Sequence, residues 1–369
     1  MGINVVTCSA SSIVGVNNFG DELLTKIYHA WVIEADPSVT VSHLAVDSHG
    51  ILTRESRKQI EGASYLIFTG GGYFADGDFT FHHTIRRHLR ALRNRRVYWT
   101  VFKLSRKLDL TCAVVGLEVG PLANPLYRRA VRNVLLSGRK VVVRNEESRV
   151  YARNLCGDAL DVSVHLDAAL AAASDFAAGE GVLARNPEDF NIGIHVHSVE
   201  GEITQADCMA LIAQVVSHLP SGRQARLYYF HDQRKNGRHP SRSVRAERHV
   251  ISAYPGTTPI SYRSPEVTTR AVDAMDLLIT SKLHLGIVAR SLGVPVIALG
   301  GHPKIRRFYK SIGEEEVCGR SRDFISNGLP TQVTSCIGGD QARVAVSATY
   351  RESALSNRAA VRQLLKSMA

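Results

Sequence analysis

The feature that most constrains the fold is a repeated alternation of short apolar runs with helix-like stretches. The runs are rich in Val, Ile and Leu, and each ends in Gly, Ser, Asn or Asp before a helix-like segment begins. This alternation is typical of parallel sheets with crossover helices, because the strands of such sheets are buried on both faces. The sequence therefore predicts an α/β fold.

The alternation occurs twice along the 369 residues, so we predict two doubly wound, Rossmann-like domains. In the first domain, strands are predicted at residues 3–8, 39–44, 64–69, 111–115, 140–144 and 161–165. In the second, strands are predicted at 191–195, 226–230, 276–280 and 294–299, and helices at 205–219, 265–274 and 284–292. The expected organisation is an N-terminal domain at 1–170, a linker at 171–189, a C-terminal domain at 190–338 and a helical tail at 339–369. Two such domains facing each other are expected to enclose a central cleft.

Composition excludes several classes of protein. With 44% hydrophobic and 21% charged residues, the chain is not disordered, collagen-like or coiled-coil. The formal charge of +11 favours anionic partners without choosing among phosphate, nucleic acid and lipid headgroups. The six cysteines lack zinc or redox spacing, so we expect reduced thiols and no metal site. With neither a basic leader nor a membrane-spanning apolar run, a cytoplasmic protein is expected.

Two glycine-containing segments follow strands of the first domain. Residues 17–24 contain Asn18, Gly20 and Asp21, and Asp21 either caps the following helix or contacts a ligand. After the third strand, Gly70-Gly71-Gly72 either exposes backbone N–H groups to an anion or serves a tight turn. Asp76 and Asp78 follow and are expected to orient hydroxyls of a polar ligand.

Charged candidates follow the fourth and fifth strands. The fourth leads into a predicted loop at 116–121 that contains Glu118, a candidate acid or base. Arg144 closes the fifth, where an arginine is costly to bury unless it binds an anion or a carboxylate. We favour ligand binding over an internal ion pair, because the guanidinium fork matches phosphate and carboxylate geometry.

The second domain carries a denser group of candidates. Strand 226–230 delivers His231 and Asp232 to the edge of the sheet, before a polar, basic loop at 233–248 that we interpret as a flexible lid. The turn after strand 276–280 places Ser281, Lys282 and His284 at a helix N-terminus. There the helix dipole and these groups form an anion pocket with a titratable imidazole beside it. The alternative is that Lys282 and His284 are exposed structural residues.

Several of these segments, in this order, resemble the polysaccharide pyruvyl transferase family. The resemblance is carried by Asn18-Phe19-Gly20-Asp21-Glu22, Gly70-Gly71-Gly72, residues 116–121, 144–148 and 167–169, Ser281-Lys282-Leu283-His284, and residues 293–297, 303–304 and 308–313. It spans about residues 3–315. Two positions depart from the family pattern, which usually has arginine where this chain has Lys282 and often aspartate where it has Asn145. Lysine keeps the positive charge but loses the bidentate fork.

The resemblance implies two Rossmann-like lobes of the glycosyltransferase-B type with the active site between them. It also implies transfer of a pyruvyl group from phosphoenolpyruvate to two hydroxyls of a sugar, forming a cyclic ketal. No cofactor is implied beyond phosphoenolpyruvate as donor substrate. The acceptor is expected to be a sugar of a surface polysaccharide or of its lipid-linked precursor, bound on the side of the first domain, with the donor on the side of the second.

The same resemblance suggests roles for the candidate residues. Arg144 and Lys282 suit the donor's anionic groups, and His284 suits the general acid. The base is left open among Asp21, Glu118 and Asp232. Substrate contacts are expected from the remaining candidates, Ser281, Asn18, Gly20, Gly70, Gly71, Gly72, His231 and Asp232.

A basic stretch at 86–107 contains no acidic residue and is interleaved with apolar and aromatic side chains. Exposed aromatics beside cations suit an anionic membrane surface, which predicts peripheral contact at the inner face of the membrane. The alternative is a solvated helix followed by a core element.

Two further functions compete with pyruvyl transfer. A nucleotide-sugar-dependent glycosyltransferase uses the same two-domain fold. A nucleic-acid-binding module would use the basic stretch, but the sequence lacks a recognition motif, so no nucleic acid is expected as a partner.

Overall fold

The computed structural model describes residues 3–9, 12, 18–46, 51–75, 84–183, 186, 188–196, 205–233, 242–300, 302–338, 343 and 346–367. Within these ranges the chain forms two compact units, each built on a parallel sheet of six strands. Unit 1 comprises Met1–Asn17, Asp21–Ala168 and Arg351–Ala369, and unit 2 comprises Asn18–Gly20 and Ala169–Tyr350. The predicted α/β class with two Rossmann-like units is confirmed, and the expected cleft stays a prediction.

In unit 1 the strands lie in the order β2-β1-β3-β4-β5-β6. They are β1 (Asn4–Cys8), β2 (Thr40–His43), β3 (Tyr65–Phe74), β4 (Thr111–Val119), β5 (Gly138–Val143) and β6 (Ser163–Val164). The helices are α1 (Phe19–Ala35), α2 (Arg54–Glu61), α3 (Thr84–Lys107), α4 (Pro125–Ser137), α5 (Glu146–Cys156) and, from the end of the chain, α14 (Ala348–Lys366). β3 and β4 are central, and nearly all their side chains are buried.

Helix α3 contributes to the core of unit 1 through the face that carries Val97, Tyr98 and Val101. Tyr98 is 0% exposed and stacks on Tyr73 at 4.8 Å between ring centroids. The expectation of exposed aromatics in the basic stretch is therefore wrong for Tyr98, because a ring of this size gains more from core packing than from solvent. Lys103 lies over the partly buried ring of Trp99.

In unit 2 the order is β12-β11-β10-β7-β8-β9. The strands are β7 (Asp189–His195), β8 (Gln224–Phe230), β9 (Thr258–Ile260), β10 (Leu277–Thr280), β11 (Val296–Leu299) and β12 (Cys318–Gly319). The helices are α6 (Ala169–Ala177), α7 (Gln205–Ser217), α8 (Arg242–Ala253), α9 (Pro265–Asp273), α10 (Leu283–Ser291), α11 (Pro303–Ser311), α12 (Ser321–Asn327) and α13 (Thr331–Gly338), with a 3₁₀ turn at Glu315–Val317.

The structure differs from the predicted elements at five places. Residues 171–189, expected to be a linker, begin inside α6, which packs against α9 and α10 because Ala169 and Ala173 are small and buried. Glycines 70–72, expected after a strand, lie within β3, and Glu118, expected in a loop, lies within β4. The short strands β9 and β12 at the sheet edges were missed, because such short segments leave little pattern.

Two further observations bear on the predictions from composition. None of the helices in the described ranges has the length and apolar character needed to cross a membrane. All six cysteines are free thiols, and burial raises the pKa of Cys8 and of Cys208 to about 12.

Candidate functional site

Three strands of the second sheet bring polar side chains to its carboxyl edge. β7 pairs with β8 on one side and with β10 on the other, where His195 lies opposite Thr280. From β7 the chain adds β8 and β9 on one side of the sheet, and it then adds β10, β11 and β12 on the other side. The direction in which strands are added therefore reverses between β7 and β10. Ligands of open parallel sheets bind at such a switch point, outside the carboxyl ends of the strands. His195, Asp232 and Lys282 stand at or just after the ends of these three strands.

Lys282 and His195 share the carboxylate of Asp232. Lys282 Nζ lies 2.6 Å from Asp232 Oδ2, and His195 Nε2 lies 3.4 Å from Asp232 Oδ1. His195 is 0% exposed and Asp232 5% exposed, whereas the Lys282 side chain is 30% exposed. The carboxylate therefore lies between an ammonium group that reaches solvent and an imidazole that does not.

The Asp232 carboxyl group is held in its ionised form. Burial raises its pKa, but the approach of His195 and the positive charge of Lys282 outweigh burial and lower the pKa well below its ordinary value. A carboxylate stabilised in this way is a weak base. It is better suited to fixing the position of Lys282 than to removing a proton from a hydroxyl group.

The backbone around Lys282 is also fixed. The backbone N–H of Lys282 donates to Thr280 Oγ1 at 3.0 Å, and the N–H of Ser281 donates to the carbonyl of His195 at 2.9 Å. Lys282 is the N-cap residue of α10, and its side chain makes no capping hydrogen bond there. The first N–H groups of α10 thus point toward the same edge as the ammonium group.

The segment Asn18–Gly20, which belongs to unit 2, lies against this site. Asn18 forms an antiparallel bridge with Gln233, and the N–H of Phe19 donates to the carbonyl of Asp232 at 2.8 Å. A Cβ atom on Gly20 would stand 1.9 Å from His284 Nδ1 and 2.8 Å from His284 Cβ. Only glycine allows this approach, so the segment connects Asp232 with His284.

His231 has a different environment from its neighbour Asp232. Its Nε2 lies 3.0 Å from Oε1 of Glu247, and His231 and Glu247 are both buried. Glu247 lies on α8, inside the stretch that the sequence analysis interpreted as a lid. Residues 242–248 are helical, so the interpretation of this stretch as a flexible loop is wrong for them. Residues 234–241 lie outside the described ranges.

In unit 1, Arg144 binds two carboxylates. Its Nη2 contacts Glu118 Oε2, and its Nη1 lies 3.2 Å from Asp167 Oδ2. All three residues are buried. Burial lowers the pKa of Arg144, but the two carboxylates raise it above its ordinary value, so the guanidinium stays charged. The internal ion pair, which the sequence analysis ranked below ligand binding, is therefore what the structure contains.

The backbone conformation and the close packing of β3 explain why glycine occupies positions 70–72. Gly70 has a φ of +37° and Gly71 a φ of +106°, values that favour glycine. A Cβ on Gly72 would lie 3.2 Å from Glu118 Oε2, so β3 approaches the Arg144 cluster closely at this point. The positive φ values and the close approach to Glu118 account for glycine at these positions inside a strand, so the tight turn expected here is not present. Anion binding by the N–H groups stays a prediction.

Helix caps explain two other residues of unit 1. Asp21 lies within the first turn of α1, not at its N-cap, so its predicted capping role is wrong. Asn145 is the N-cap of α5, where its side chain accepts a hydrogen bond from Ser148 N at 2.9 Å. An amide oxygen serves this cap as well as a carboxylate does, which explains why asparagine is tolerated here.

The sequence analysis missed a polar network at the carboxyl ends of β1 and β2. Thr7 Oγ1 lies 2.7 Å from His29 Nε2 and 3.0 Å from His43 Nδ1, and His43 Nε2 lies 2.8 Å from Ser12 Oγ. Burial, together with His29, lowers the pKa of His43 to about 4, so this imidazole is neutral at pH 7. His29 and His43 come from a helix and a strand, so no local motif marks the pair.

Some predicted site features fall elsewhere. Asp76 and Asp78 lie outside the described residues. Among the residues that are described, no cluster of three or more His, Cys, Asp or Glu side chains has the arrangement needed to hold a metal ion.

Comparison with known families assigns the chain to one of them. A family model described as "Polysaccharide pyruvyl transferase" matches residues 18–303, which include the Asn18–Gly20 segment, the Arg144 cluster and the Lys282 site. The chain belongs to the polysaccharide pyruvyl transferase family. The resemblance noted from the sequence is thus confirmed, and the chain is a transferase of this family. A comparison with curated proteins found no match.

Solved structures with related folds include several proteins that bind or convert nucleotide sugars. A putative UDP-N-acetylglucosamine 2-epimerase from Listeria monocytogenes has a TM-score of 0.56 at 11% identity, covering 100% of this chain and 98% of that chain. UDP-GlcNAc 2-epimerase from Neisseria meningitidis has a TM-score of 0.54 at 12% identity, covering 99% of this chain and 100% of that chain. Anabaena HepE in complex with UDP has a TM-score of 0.52 at 9% identity, covering 99% of each chain. At such identities the likeness shows the fold alone.

The contact between Gly20 and His284 gives a first testable prediction. In Gly20→Ala the new methyl group must displace the His284 ring, and we expect about a hundredfold loss of transferase activity, the usual effect of misplacing a catalytic group by about 1 Å. Steady-state kinetics and thermal unfolding should be measured together. Gly256→Ala is the matched control, because a Cβ there meets nothing within 4 Å. Normal turnover in folded Gly20→Ala would contradict a role for the contact.

Proposed function

We propose that the chain transfers the pyruvyl group of phosphoenolpyruvate to two hydroxyls of a sugar, forming a cyclic ketal and releasing phosphate. The family match supports transfer to a polysaccharide-type acceptor. The observation that carries the donor assignment is the partly exposed Lys282 side chain, whose ammonium is held by Asp232 at the carboxyl edge of the second sheet. Phosphoenolpyruvate bears a phosphate and a carboxylate, so its site needs a fixed cation.

The reaction balances with the groups that the two substrates bring. A general acid protonates the methylene carbon of phosphoenolpyruvate, and one sugar hydroxyl attacks the adjacent carbon as it becomes cationic. The C–O bond to phosphate then breaks, and the second hydroxyl attacks the same carbon to close the ketal. Of the two hydroxyl protons released, one replaces the proton given to the methylene carbon, and the other leaves with hydrogen phosphate.

His284 is the proposed general acid. Gly20 brings the Asn18–Gly20 segment against its ring, and the Lys282 ammonium belongs to the same turn. An imidazole with an unperturbed pKa of about 6.5 exchanges protons readily near neutral pH. This role requires that the methylene carbon of the bound donor reach the imidazole.

Two of the three candidate bases are paired with cationic groups. Asp232 is engaged by Lys282 and His195, and Glu118 is engaged by Arg144. Pairing with a cation stabilises the ionised carboxylate and weakens it as a base. The base for the acceptor hydroxyls stays open among Asp21, Glu118 and Asp232, with Asp232 and Glu118 weakened as bases by their cationic partners.

Arg144 receives a revised role in this proposal. Two carboxylates already pair with the Arg144 guanidinium, so it attracts an anionic ligand less than an isolated arginine would. We assign Lys282 as the main donor cation. Arg144 then holds Glu118 and Asp167 in place.

For the acceptor we propose a sugar of a surface polysaccharide or of its lipid-linked precursor. Arg96, Lys103 and Lys107 are exposed on one face of α3, with no acidic residue on the helix. This basic face supports peripheral contact with an anionic membrane, where a lipid-linked acceptor would be presented.

Release of phosphate from phosphoenolpyruvate tests the function directly. We expect release that depends on an added glycan acceptor, with mass spectrometry showing a product heavier by one ketal-linked pyruvyl group. A panel of glycans is needed because the acceptor sugar is unassigned. Because HepE, a protein of related fold, was solved in complex with UDP, the same assay with a UDP-sugar is a necessary control. Acceptor-dependent transfer of a sugar from the UDP-sugar, without any use of phosphoenolpyruvate, would favour the competing glycosyltransferase function.

Lys282 gives the second variant prediction. In Lys282→Met, loss of a charge-assisted contact should raise the KM for phosphoenolpyruvate by about ten- to a hundredfold, while Lys282→Arg should retain much of the activity. Initial rates against donor concentration measure the effect. Lys310→Met, which removes an exposed lysine from the same unit, is the control. An unchanged donor KM in Lys282→Met would remove Lys282 from the site.

His284 gives a prediction on proton transfer. His284→Gln should lower kcat by about a hundredfold to ten-thousandfold with donor binding largely intact, because glutamine cannot act as an acid. In the wild type, activity should fall as the pH rises through the titration of the acid. We would abandon the assignment if folded His284→Gln kept near-normal turnover and the alkaline limb of its pH profile were unmoved.

A further inference from the structure

The buried imidazole of His195 has no part in the mechanism above, although it is adjacent to the Lys282 site. His195 is the last residue of β7 and is 0% exposed. Its Nε2 faces Asp232 Oδ1 at 3.4 Å. Among the described residues, its Nδ1 has no hydrogen-bond partner. A buried histidine that is not otherwise hydrogen-bonded can change its protonation state without breaking other contacts.

The charges around Asp232 show when such a change would be favourable. With neutral His195, the charges of Lys282 and Asp232 cancel. When a dianionic phosphate group binds to Lys282, the three charged groups sum to −2, and Asp232 must share its cation with the ligand. A proton on His195 then supplies the second cation, at a position that solvent does not reach.

We propose that His195 is a positioning residue that takes up a proton when a phosphorylated substrate binds at Lys282, so that Asp232 keeps a cationic partner and Lys282 is released toward the ligand. This inference rests on the proposed donor site and adds a proton-linked binding step. His195 acts through Asp232 and does not touch the donor, because its side chain is fully buried.

The neighbouring titratable groups do not replace His195 in this role. From β8 and the residues that follow it come Tyr229, whose hydroxyl donates to the carbonyl of Val196, as well as His231 and Asp232. His231 faces Glu247 of α8, which already supplies it with a carboxylate. From the β10 side come Lys282 and, on α10, His284. Of these groups, His195 and Lys282 contact the carboxylate of Asp232.

Calorimetric titration with sulfate tests the proposal. Sulfate mimics a phosphate dianion but has no proton of its own to exchange near neutral pH. Titrations at pH 7.5 in two buffers of different ionisation enthalpy give the number of protons taken up. We expect net uptake in the wild type. In His195→Gln and in His195→Asn we expect uptake near zero and about tenfold weaker sulfate binding, equivalent to one pKa unit of coupling.

Two matched variants locate the proton. His218→Gln, which changes an exposed histidine of the same unit, should keep wild-type uptake. His284→Gln removes the imidazole of the proposed general acid, so proton uptake that persists in this variant comes from another group, as the proposal requires. If the His195 variants do not fold, the His284→Gln variant still tests the proposal. Proton uptake that persists in His284→Gln supports it, and loss of proton uptake in His284→Gln overturns it.

Several other results of the sulfate titrations would overturn the proposal. Sulfate binding without proton uptake in the wild type overturns the proposal, as does undiminished uptake in a folded His195 variant. Failure of sulfate to bind, or binding that survives Lys282→Met, overturns it too. Proton uptake that depends on His195, without any pyruvyl transfer from phosphoenolpyruvate, would support this inference and reject the proposed function. Pyruvyl transfer without such proton uptake would support the proposed function and reject this inference.

Discussion

A parallel sheet places the carboxyl ends of all its strands along one edge, and the site of unit 2 depends on this constraint. β7, β8 and β10 are adjacent in the sheet although they are far apart along the chain. Their ends bring His195, Asp232 and Lys282 within contact distance without any local sequence motif. The rigid strands fix the carboxylate, and the carboxylate in turn fixes the ammonium group. The loops need only supply the surrounding polar groups.

The two buried charge clusters show why an isolated basic residue is a poor guide to anion binding. Arg144 has two carboxylate partners and is almost inaccessible, so its charge is compensated inside the protein. Lys282 is paired with the carboxylate of Asp232 and has a partly exposed side chain, so this pair is neutral and reaches solvent. The number of compensating carboxylates, and the access of solvent, separate a structural cation from a binding cation.

The fold and part of the site could be predicted from the sequence, because buried strands and helix starts leave local patterns. The second-sheet strands and the group formed by Ser281, Lys282 and His284 were found in this way. The position of the glycine run inside β3 was not, since the backbone angles of glycine are invisible in a sequence. His195 was also missed, because its significance comes from a carboxylate on another strand. Contacts of this kind are set by topology, not by spacing along the chain.

The close approach of Gly20 to His284 has a consequence for how these two positions vary in evolution. A hydrogen atom is all that fits at position 20 while an imidazole occupies position 284. The two residues lie far apart in sequence but form one steric unit, so selection acts on the pair. In an alignment, a side chain at position 20 should coincide with a smaller residue at position 284, and the two columns should therefore covary.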